Sequence, residues 1–538
     1  MLKKILLVAL FAIAFLPSVM AQSLSPSTSW HWKEGTIIID EPVRPEGQEH
    51  VIQLKSAKLP IVRIGFVGLG MRGAAAIDRY THIYGTQIVA FCDYEEERAL
   101  ACQQDLRKAG FPPALVYSGE FGYKELCERE DIDLVYIATD WDHHYPVAEY
   151  ALNHGKHVAI EVPSAMNLEQ IWNLIDLSEK NRLHCMILEN CCYDWYEMTA
   201  LNMAQNGVFG EVIRAEGAYI HTLDPYWDEY WKNPNDDSML GWRMKYNMEN
   251  RGDVYATHGL GPVAQVLNIH RGDRFTTLVA MDTKSVHGAE FVTKHNGECK
   301  EFRNGDHTTT LMRTAQGKVV EIQHNVMSPQ PYNRLYKITG SKGYATKYPS
   351  EQYALSEEQL KSVGVSPKNK ISYHSFLPKE EHDALENIFR HPILKKYGEM
   401  ALEVGGHGGM DYIMDSRLVY CLQNGLPLDM DVYDLAEWCC LAELGSISMN
   451  NNCAAVKFPD FTRGHWNDIK DGFKHEYASA HDEAISEEIA RRFTENQKRI
   501  TAKYNLWAAY DKAKTKRSAK KTYEKLINKA KSDIRRLF

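Results

Sequence analysis

The chain has 538 residues, 44% of them hydrophobic and 25% charged, with 35 Gly and 20 Pro. Those proportions exclude a collagen-like or low-complexity polymer and wholesale disorder, and the length accommodates about three domains at ~150 residues each. A net charge of −9, from 62 basic and 71 acidic residues, supplies no global basic field and argues against nucleic acid as a partner.

The first residues read as an address. Lys3 and Lys4 precede an apolar run from Ile5 to Leu16, and Val19-Met20-Ala21 places small residues at −3 and −1 of a cleavage point before Gln22. Residues 1–21 are expected to be a bacterial signal peptide, with export to the periplasm or the outside. The apolar run is short for a ~20-residue membrane span, and no other stretch is apolar enough to make one. No Cys follows the cut, so no lipid anchor is expected. Losing Lys3 and Lys4 takes the net charge from −9 to −11. The eleven cysteines form no C-x-x-C pair and no zinc-spaced cluster. Most sit in apolar runs, where a free Cys acts as a small hydrophobe.

Residues 22–58 are polar, with Ser and Pro, and read as an arm or linker. From Ile61 strand and helix signals alternate. Strands are expected over Val62 to Val67, Gln87 to Cys92, Leu134 to Ala138, His157 to Ile160 and His184 to Leu188, with helices over Glu95 to Ala109 and Tyr145 to Asn153. That order predicts a doubly wound parallel sheet over residues 59–190. Past Gly210 come longer strand signals: Val212 to Thr222, Phe275 to Met281, Thr308 to Thr314, Val319 to Val326 and Leu335 to Gly340. They predict an open sheet, solvated or facing substrate on one side, in an α/β domain over 191–464. Helices are expected over Tyr412 to Gln423 and Val432 to Asn450. Residues 465–538 read as a basic helical extension: 498–538 alone hold fourteen Lys/Arg against Asp511, Glu524 and Asp533. A solvated tail packed on the acidic body is the plain reading, with membrane or surface association as the weaker one.

The strongest local signal is Gly68-x-Gly70-x-x-Gly73, between a strand and a helix start. The first glycine permits the tight turn, the second lets a pyrophosphate approach the backbone, and the third lets helix and strand pack closely. The next strand ends in Asp93, placed to hold ribose hydroxyls and to disfavour a 2′-phosphate. Together they predict NAD as the cofactor. Thr139-Asp140-Trp141-Asp142-His143-His144 follows another strand end, where Trp141 is expected to stack on a ring and His144 to bond a ribose or the substrate. The bland alternative is a capped helix start with a packed aromatic.

Next comes Lys156-His157-Val158-Ala159-Ile160-Glu161-Val162-Pro163. Here the chain resembles the Gfo/Idh/MocA oxidoreductase superfamily, which pairs a Rossmann domain with a C-terminal α/β sheet domain. Its members usually carry Glu-Lys-Pro at this place, with the Lys in catalysis, and this chain has Val162 instead. Glu189-Asn190-Cys191-Cys192-Tyr193, Leu240-Gly241-Trp242-Arg243, Gly252 to Pro262, Ser328 to Tyr332 and Gly405-Gly406-His407-Gly408-Gly409-Met410-Asp411 narrow the likeness. Over about Arg63 to Gly464 the chain is similar to glycoside hydrolase family 109, which contains NAD-dependent α-N-acetylgalactosaminidases.

The resemblance implies that Met71, Arg72, Asp93, Trp141 to His144, Glu161, Val162 and Asn190 bind NAD beside Gly68 and Gly70. Tyr219, Arg243, Tyr255, Ala256, Thr257, His258 and Tyr332 would line the sugar site. Tyr219 and Tyr332 rest on local context, and an aromatic packed in a sheet is their alternative. Tyr255 and His258, three apart, can face one pocket from one helical turn and are the expected acid/base pair, with either taking either proton. The implied chemistry oxidises the sugar 3-hydroxyl, eliminates the glycosidic oxygen, adds water and reduces the ketone again, with no net redox. No metal is expected. The partners expected are a small-molecule or glycan substrate, without nucleic acid or stable membrane insertion after signal removal; a homo-oligomer stays open. An exported NAD-dependent sugar or polyol oxidoreductase and a non-catalytic sugar-binding protein are the rival readings.

Overall fold

The computed structural model describes residues 29–223, 242–296, 301–372 and 374–535. The expected signal peptide, Cys299 and the Leu240-Gly241 pair of the motif ahead of Trp242 lie outside them.

Six parallel strands form the first sheet, in the spatial order Leu115–Ser118, Thr86–Asp93, Val62–Val67, Leu134–Ile137, His157–Ile160 and Cys185–Ile187. Helices on both faces explain why its central strands are apolar without alternation: Leu134–Ile137 is buried at every position. Chain order reverses beside Val62–Val67, whose neighbours are the second and fourth strands in sequence. A doubly wound sheet opens its ligand crevice at such a point, outside the carboxyl ends. Gly68, Thr139, Glu161 and Glu189 all follow those ends.

The second sheet has ten strands: Trp30–Lys33, Thr36–Ile39, Val456–Lys457, Phe275–Asp282, Thr308–Thr314, Val319–Asn325, Val212–Ile220, Lys337–Gly340, Gly343–Thr346 and Gln352–Leu355. It is mostly antiparallel, with parallel pairing between Val319–Asn325 and Val212–Ile220 and between Val456–Lys457 and Thr36–Ile39. Thr308–Thr314 alternates buried and open positions, as an antiparallel sheet with one covered face requires. The segment read as an arm is a correction: its Trp30–Lys33 and Thr36–Ile39 strands form a hairpin on this sheet, with Ile37 and Ile39 buried. The predicted helix over Val432 to Asn450 is two helices, Val432–Cys439 and Leu441–Asn450.

One close approach decides where the site lies. The helix Thr257–Leu267 crosses the strand Val212–Ile220, and a Cβ on Gly217 would stand 2.1 Å from the Gly259 carbonyl oxygen. Two glycines thus let the helix lie directly on the strand, bringing His258 beside Tyr219. The last helices, Ala480–Lys503, Leu506–Thr515 and Lys520–Arg535, share a core of Phe493, Ile500, Leu506, Ile527, Ala530 and Ile534. They dock on the first sheet's side of the molecule: Gln497 donates to the Thr86 carbonyl, Trp507 donates to that of Phe111, and Arg107 pairs with Asp511. No helix among the described residues is long and apolar enough to cross a membrane.

Candidate active site at the seam of the two sheets

The glycine turn has the shape a dinucleotide needs. Gly68 has φ +86°, and a Cβ there would lie 2.5 Å from the Ala138 carbonyl; a Cβ on Gly73 would lie 1.9 Å from the Gly68 carbonyl oxygen. At Gly70 a Cβ would meet nothing within 4 Å. Gly70 begins the helix Met71–Tyr80 with no side-chain cap and no acid in the first turn. The helix N-terminus therefore faces an open, uncapped space suited to a pyrophosphate. Asp93, 6% exposed, accepts from the Leu69 amide at 2.6 Å and the Glu95 amide at 3.0 Å. Its carboxylate braces the glycine turn, and each oxygen keeps a lone pair for a ribose hydroxyl. These residues fit NAD.

A second cluster brings distant residues together. Arg72 donates to Glu161 at 2.8 Å and to Asp411 at 3.0 Å, and Asn190 donates to Asp411 at 2.6 Å. Arg79 lies 3.6 Å from Asp411. Burial opposes the charge of Asp411, yet the bond from His407 and the two arginines hold its carboxyl well below the usual range. Burial likewise opposes charge on Arg72, and Glu161 and Asp411 outweigh it, so its pKa rises. Met71 is exposed at the rim, and Val162 is buried in the turn. A buried valine offers no proton acceptor where the superfamily keeps its lysine.

His144 lies against the loop itself. Its Nδ1 lies 2.8 Å from the Pro163 carbonyl oxygen and its Nε2 3.1 Å from that of Thr139. The ring is buried, and burial pushes its pKa down, so it holds one proton between two acceptors. The single N–H donates to one of these two loop carbonyls, so the buried ring braces the loop under the cofactor crevice.

Across the crevice the wall is aromatic. His258 Nδ1 lies 2.6 Å from Glu189 Oε1, and Glu189 is fully buried. Burial opposes ionisation of Glu189, but His258 and the Cys191 amide overcome it and hold the carboxyl below its ordinary value. Tyr255 packs edge-on to His258 with ring centres 4.9 Å apart, and Tyr219 lies 4.7 Å from Tyr255 and 5.3 Å from His258. The Arg243 guanidinium sits 4.6 Å over the Tyr255 ring, within cation–π range. Trp141 stacks on Tyr255 at 5.7 Å and touches Trp242 and Tyr246 at 4.8 and 5.2 Å. Tyr332, 43% exposed, joins through His221, whose ring is 5.0 Å away and whose Nδ1 is 3.0 Å from the Tyr219 hydroxyl. Burial pushes the Tyr255 phenol up, so it keeps its proton. Ala256 and Thr257 are 2% and 1% exposed, and the structure gives them packing places at the start of the helix.

Sequence reasoning passed over four participants. Glu189 directly precedes Asn190 at a strand end, and that position is its signal. His221 follows Tyr219 by two on a strand and so shares its face. His407 and Asp411 lie in a glycine-rich motif that carried no role by itself.

A Rossmann sheet joined to a large mixed sheet, with a nucleotide crevice at their seam, defines an NAD-dependent enzyme of the Gfo/Idh/MocA type. Residues 62–188 match the family model "Oxidoreductase family, NAD-binding Rossmann fold", and residues 193–468 match "Glycosyl hydrolase 109, C-terminal domain". Among curated relatives, "Glycosyl hydrolase family 109 protein 5" of Phocaeicola vulgatus is 68% identical over 498 residues, covering 92% of this chain and 95% of the relative. "Glycosyl hydrolase family 109 protein 1" of Bacteroides thetaiotaomicron is 56% identical, covering 89% and 100%. The chain belongs to glycosyl hydrolase family 109. It is a glycosidase with NAD as its cofactor. Of solved structures, an NAD-binding oxidoreductase from Klebsiella pneumoniae shares the fold at TM-score 0.53 and 16% identity, covering 74% of this chain and all of that one. A levoglucosan dehydrogenase in complex with NADH and L-sorbose does so at TM-score 0.54 and 17% identity, covering 74% and 99%.

Proposed function

We propose that the enzyme hydrolyses α-linked N-acetylgalactosamine, or a related α-glycoside, by oxidation, elimination, addition and reduction without net redox, after export through its N-terminal signal. One observation carries the reading: a buried Glu189–His258 pair opens onto an aromatic, arginine-bearing pocket beside the nucleotide crevice. Bound NAD supplies reversible oxidation of the sugar 3-hydroxyl, which acidifies the neighbouring C–H and makes loss of the glycosidic oxygen a matter of moving protons. The chain's residues then bind, orient and shuttle. Gly68, Gly70, Asp93, Arg72, Glu161 and Asn190 hold the cofactor end. Glu189 fixes the proton of His258 on Nδ1, leaving Nε2 as the acceptor that a general base requires. Tyr255 keeps its phenolic proton and is suited to donate a hydrogen bond to a sugar oxygen, while Tyr219, Arg243 and Tyr332 shape the pocket around the ring. Ordinary glycosidases need two carboxyl groups flanking the bond, and this route does not.

The test is release of aglycone from aryl α- and β-glycosides by purified protein with no NAD added. Turnover of the α-anomer without growth of 340 nm absorbance supports the proposal. Steady NADH accumulation from a free sugar, with no aglycone released, would make the enzyme a sugar dehydrogenase.

A further inference from the structure

Another cluster of ligand-type side chains lies where the N-terminal segment meets the end of the substrate domain. His50, His465 and Asp468 each bring a donor atom to within 4.8 Å of the other two. His465 Nδ1 is 2.8 Å from Asp468 Oδ2, and His50 Nε2 is 3.7 Å from the same oxygen. The longer distance is no hydrogen bond, and His50 Nδ1, shielded from solvent, has no partner among the described residues. An imidazole that faces a carboxylate without bonding it leaves room for something between them. Around a tetrahedral ion with bonds of ~2.0–2.1 Å, donor atoms stand roughly 3.3 Å apart, between the two distances here.

The backbone brings the three together without an ion. Thr36–Ile39 and Val456–Lys457 pair in parallel, and the segments that follow them stay side by side. Arg44 donates to the Thr462 carbonyl and Arg463 to that of Pro42, both at 3.1 Å. Both guanidiniums also pair with buried Glu179, at 2.8 and 3.1 Å, so their charge is answered there. Arg182 donates to the His50 carbonyl at 2.7 Å, and the Val51 amide donates to the Tyr433 hydroxyl at 3.0 Å. The backbone is therefore held on both sides of the His50 ring. His465 begins the short turn His465–Asn467, in which residues three apart eclipse, so Asp468 returns to its side. Because Arg182 precedes the strand Cys185–Ile187, the cluster sits at the amino edge of the parallel sheet, opposite the ligand crevice.

Two imidazoles and a carboxylate are a zinc donor set, with water in the fourth place, whereas calcium and magnesium take oxygen ligands. The two rings stack with centres 4.2 Å apart and planes 28° apart. Aiming both lone pairs at one ion takes a turn of each ring about its broad second torsion, and both side chains are partly open to solvent.

We infer that His50, His465 and Asp468 form a zinc site that staples the N-terminal hairpin to the segment after Val456–Lys457. The ion replaces the proton between His465 and Asp468 and draws His50 Nε2 into the same shell. The hairpin has reason to need it: two residue pairs, Ile37 with Val456 and Ile38 with Lys457, make its whole pairing with the rest of the sheet. No residue of the nucleotide or sugar pocket takes part, so the site is independent of the reaction proposed above.

The test strips the full chain with a chelator and adds Zn²⁺ alone in a metal-buffered titration. Wild type should hold one equivalent per chain. His50→Ala and His465→Gln should each weaken it by at least about 100-fold, the upper end of what losing even an outer-shell partner costs. Amide deuterium exchange over residues 30–55 should slow on adding zinc to wild type, by up to about 100-fold at a hundred times Kd, and stay unchanged in His465→Gln. His258→Ala should bind zinc as wild type does, because Glu189, Cys191 and His258 are the competing cluster in the crevice. No uptake by wild type, equal uptake by the two histidine variants, or uptake lost in His258→Ala would overturn the site. Zinc bound without slower exchange in the hairpin would overturn the staple. Should a histidine variant not fold, Asp468→Asn carries the same comparison.

Discussion

On the cofactor side of the crevice, Asp93, Glu161 and Asp411 are buried carboxylates, and each is engaged by backbone amides or by arginine. On the sugar side, rings dominate: Trp141, Tyr219, Tyr255 and Tyr332, with Glu189 bound to an imidazole rather than to an arginine. A carboxylate tied to guanidinium stays charged and still, which suits holding a nucleotide. A carboxylate tied to imidazole fixes a tautomer and lets the other nitrogen exchange protons, which suits chemistry. Under the proposed function the same residue type does static work on one side and dynamic work on the other, according to its partner.

The comparison breaks most sharply at the imidazole pair. His258→Ala should cut turnover by roughly 10²–10⁴-fold with NAD content unchanged, and Glu189→Gln should fall nearly as far, because an amide no longer holds the tautomer. Steady-state kinetics with nicotinamide release on denaturation checks both halves. Tyr255→Phe should lower turnover by about 10²-fold if its hydroxyl donates to the sugar; full activity would leave it a packing residue.

On the static side, Asp93→Ala should weaken NAD retention by about 10- to 100-fold, the scale of one or two charge-assisted hydrogen bonds, while the turnover of NAD-saturated enzyme changes little. Equilibrium dialysis of stripped protein measures it, and unchanged affinity would place the ribose contact elsewhere.

The smallest effect concerns Asp253, two residues before Tyr255. It is buried, neither carboxylate oxygen has a hydrogen-bond partner among the described residues, and burial raises its pKa to about 7, with the nearby Tyr255 amide giving partial relief. Because the folded value exceeds the unfolded one, its contribution to stability is full below the unfolded pKa near 3.8 and is lost as pH rises through about 7. Asp253→Asn should therefore stabilise the protein at pH 9 by roughly 2–4 kcal/mol relative to wild type, a gain that shrinks toward pH 5, in urea melts at the two pH values.

The same contrast governs what could be read from sequence. The parallel strands were legible because both of their faces are buried, so apolar runs such as Leu134–Ile137 end where the ligand loops begin. Gly68, Gly70 and Asp93 were legible because their spacing is local. The partnership of Asn190 with Asp411 spans 221 positions, and nothing local announces it. The two carbonyls beside His144 were not legible, because a histidine at a strand's carboxyl edge reads alike whether its nitrogens face a ligand or the backbone. The N-terminal hairpin was missed because its strands are only four residues each and join the sheet solely through the pairing of Thr36–Ile39 with Val456–Lys457, far along the chain.

The central claim is that a C–H bond beside a transient ketone breaks in each turnover while the net reaction is hydrolysis. Running an aryl α-glycoside to completion in heavy water, with no NAD added, tests it directly. The account predicts released sugar carrying deuterium at C2 and flat absorbance at 340 nm. Aglycone release that persists in protein stripped of all nicotinamide, with the sugar unlabelled, would contradict it.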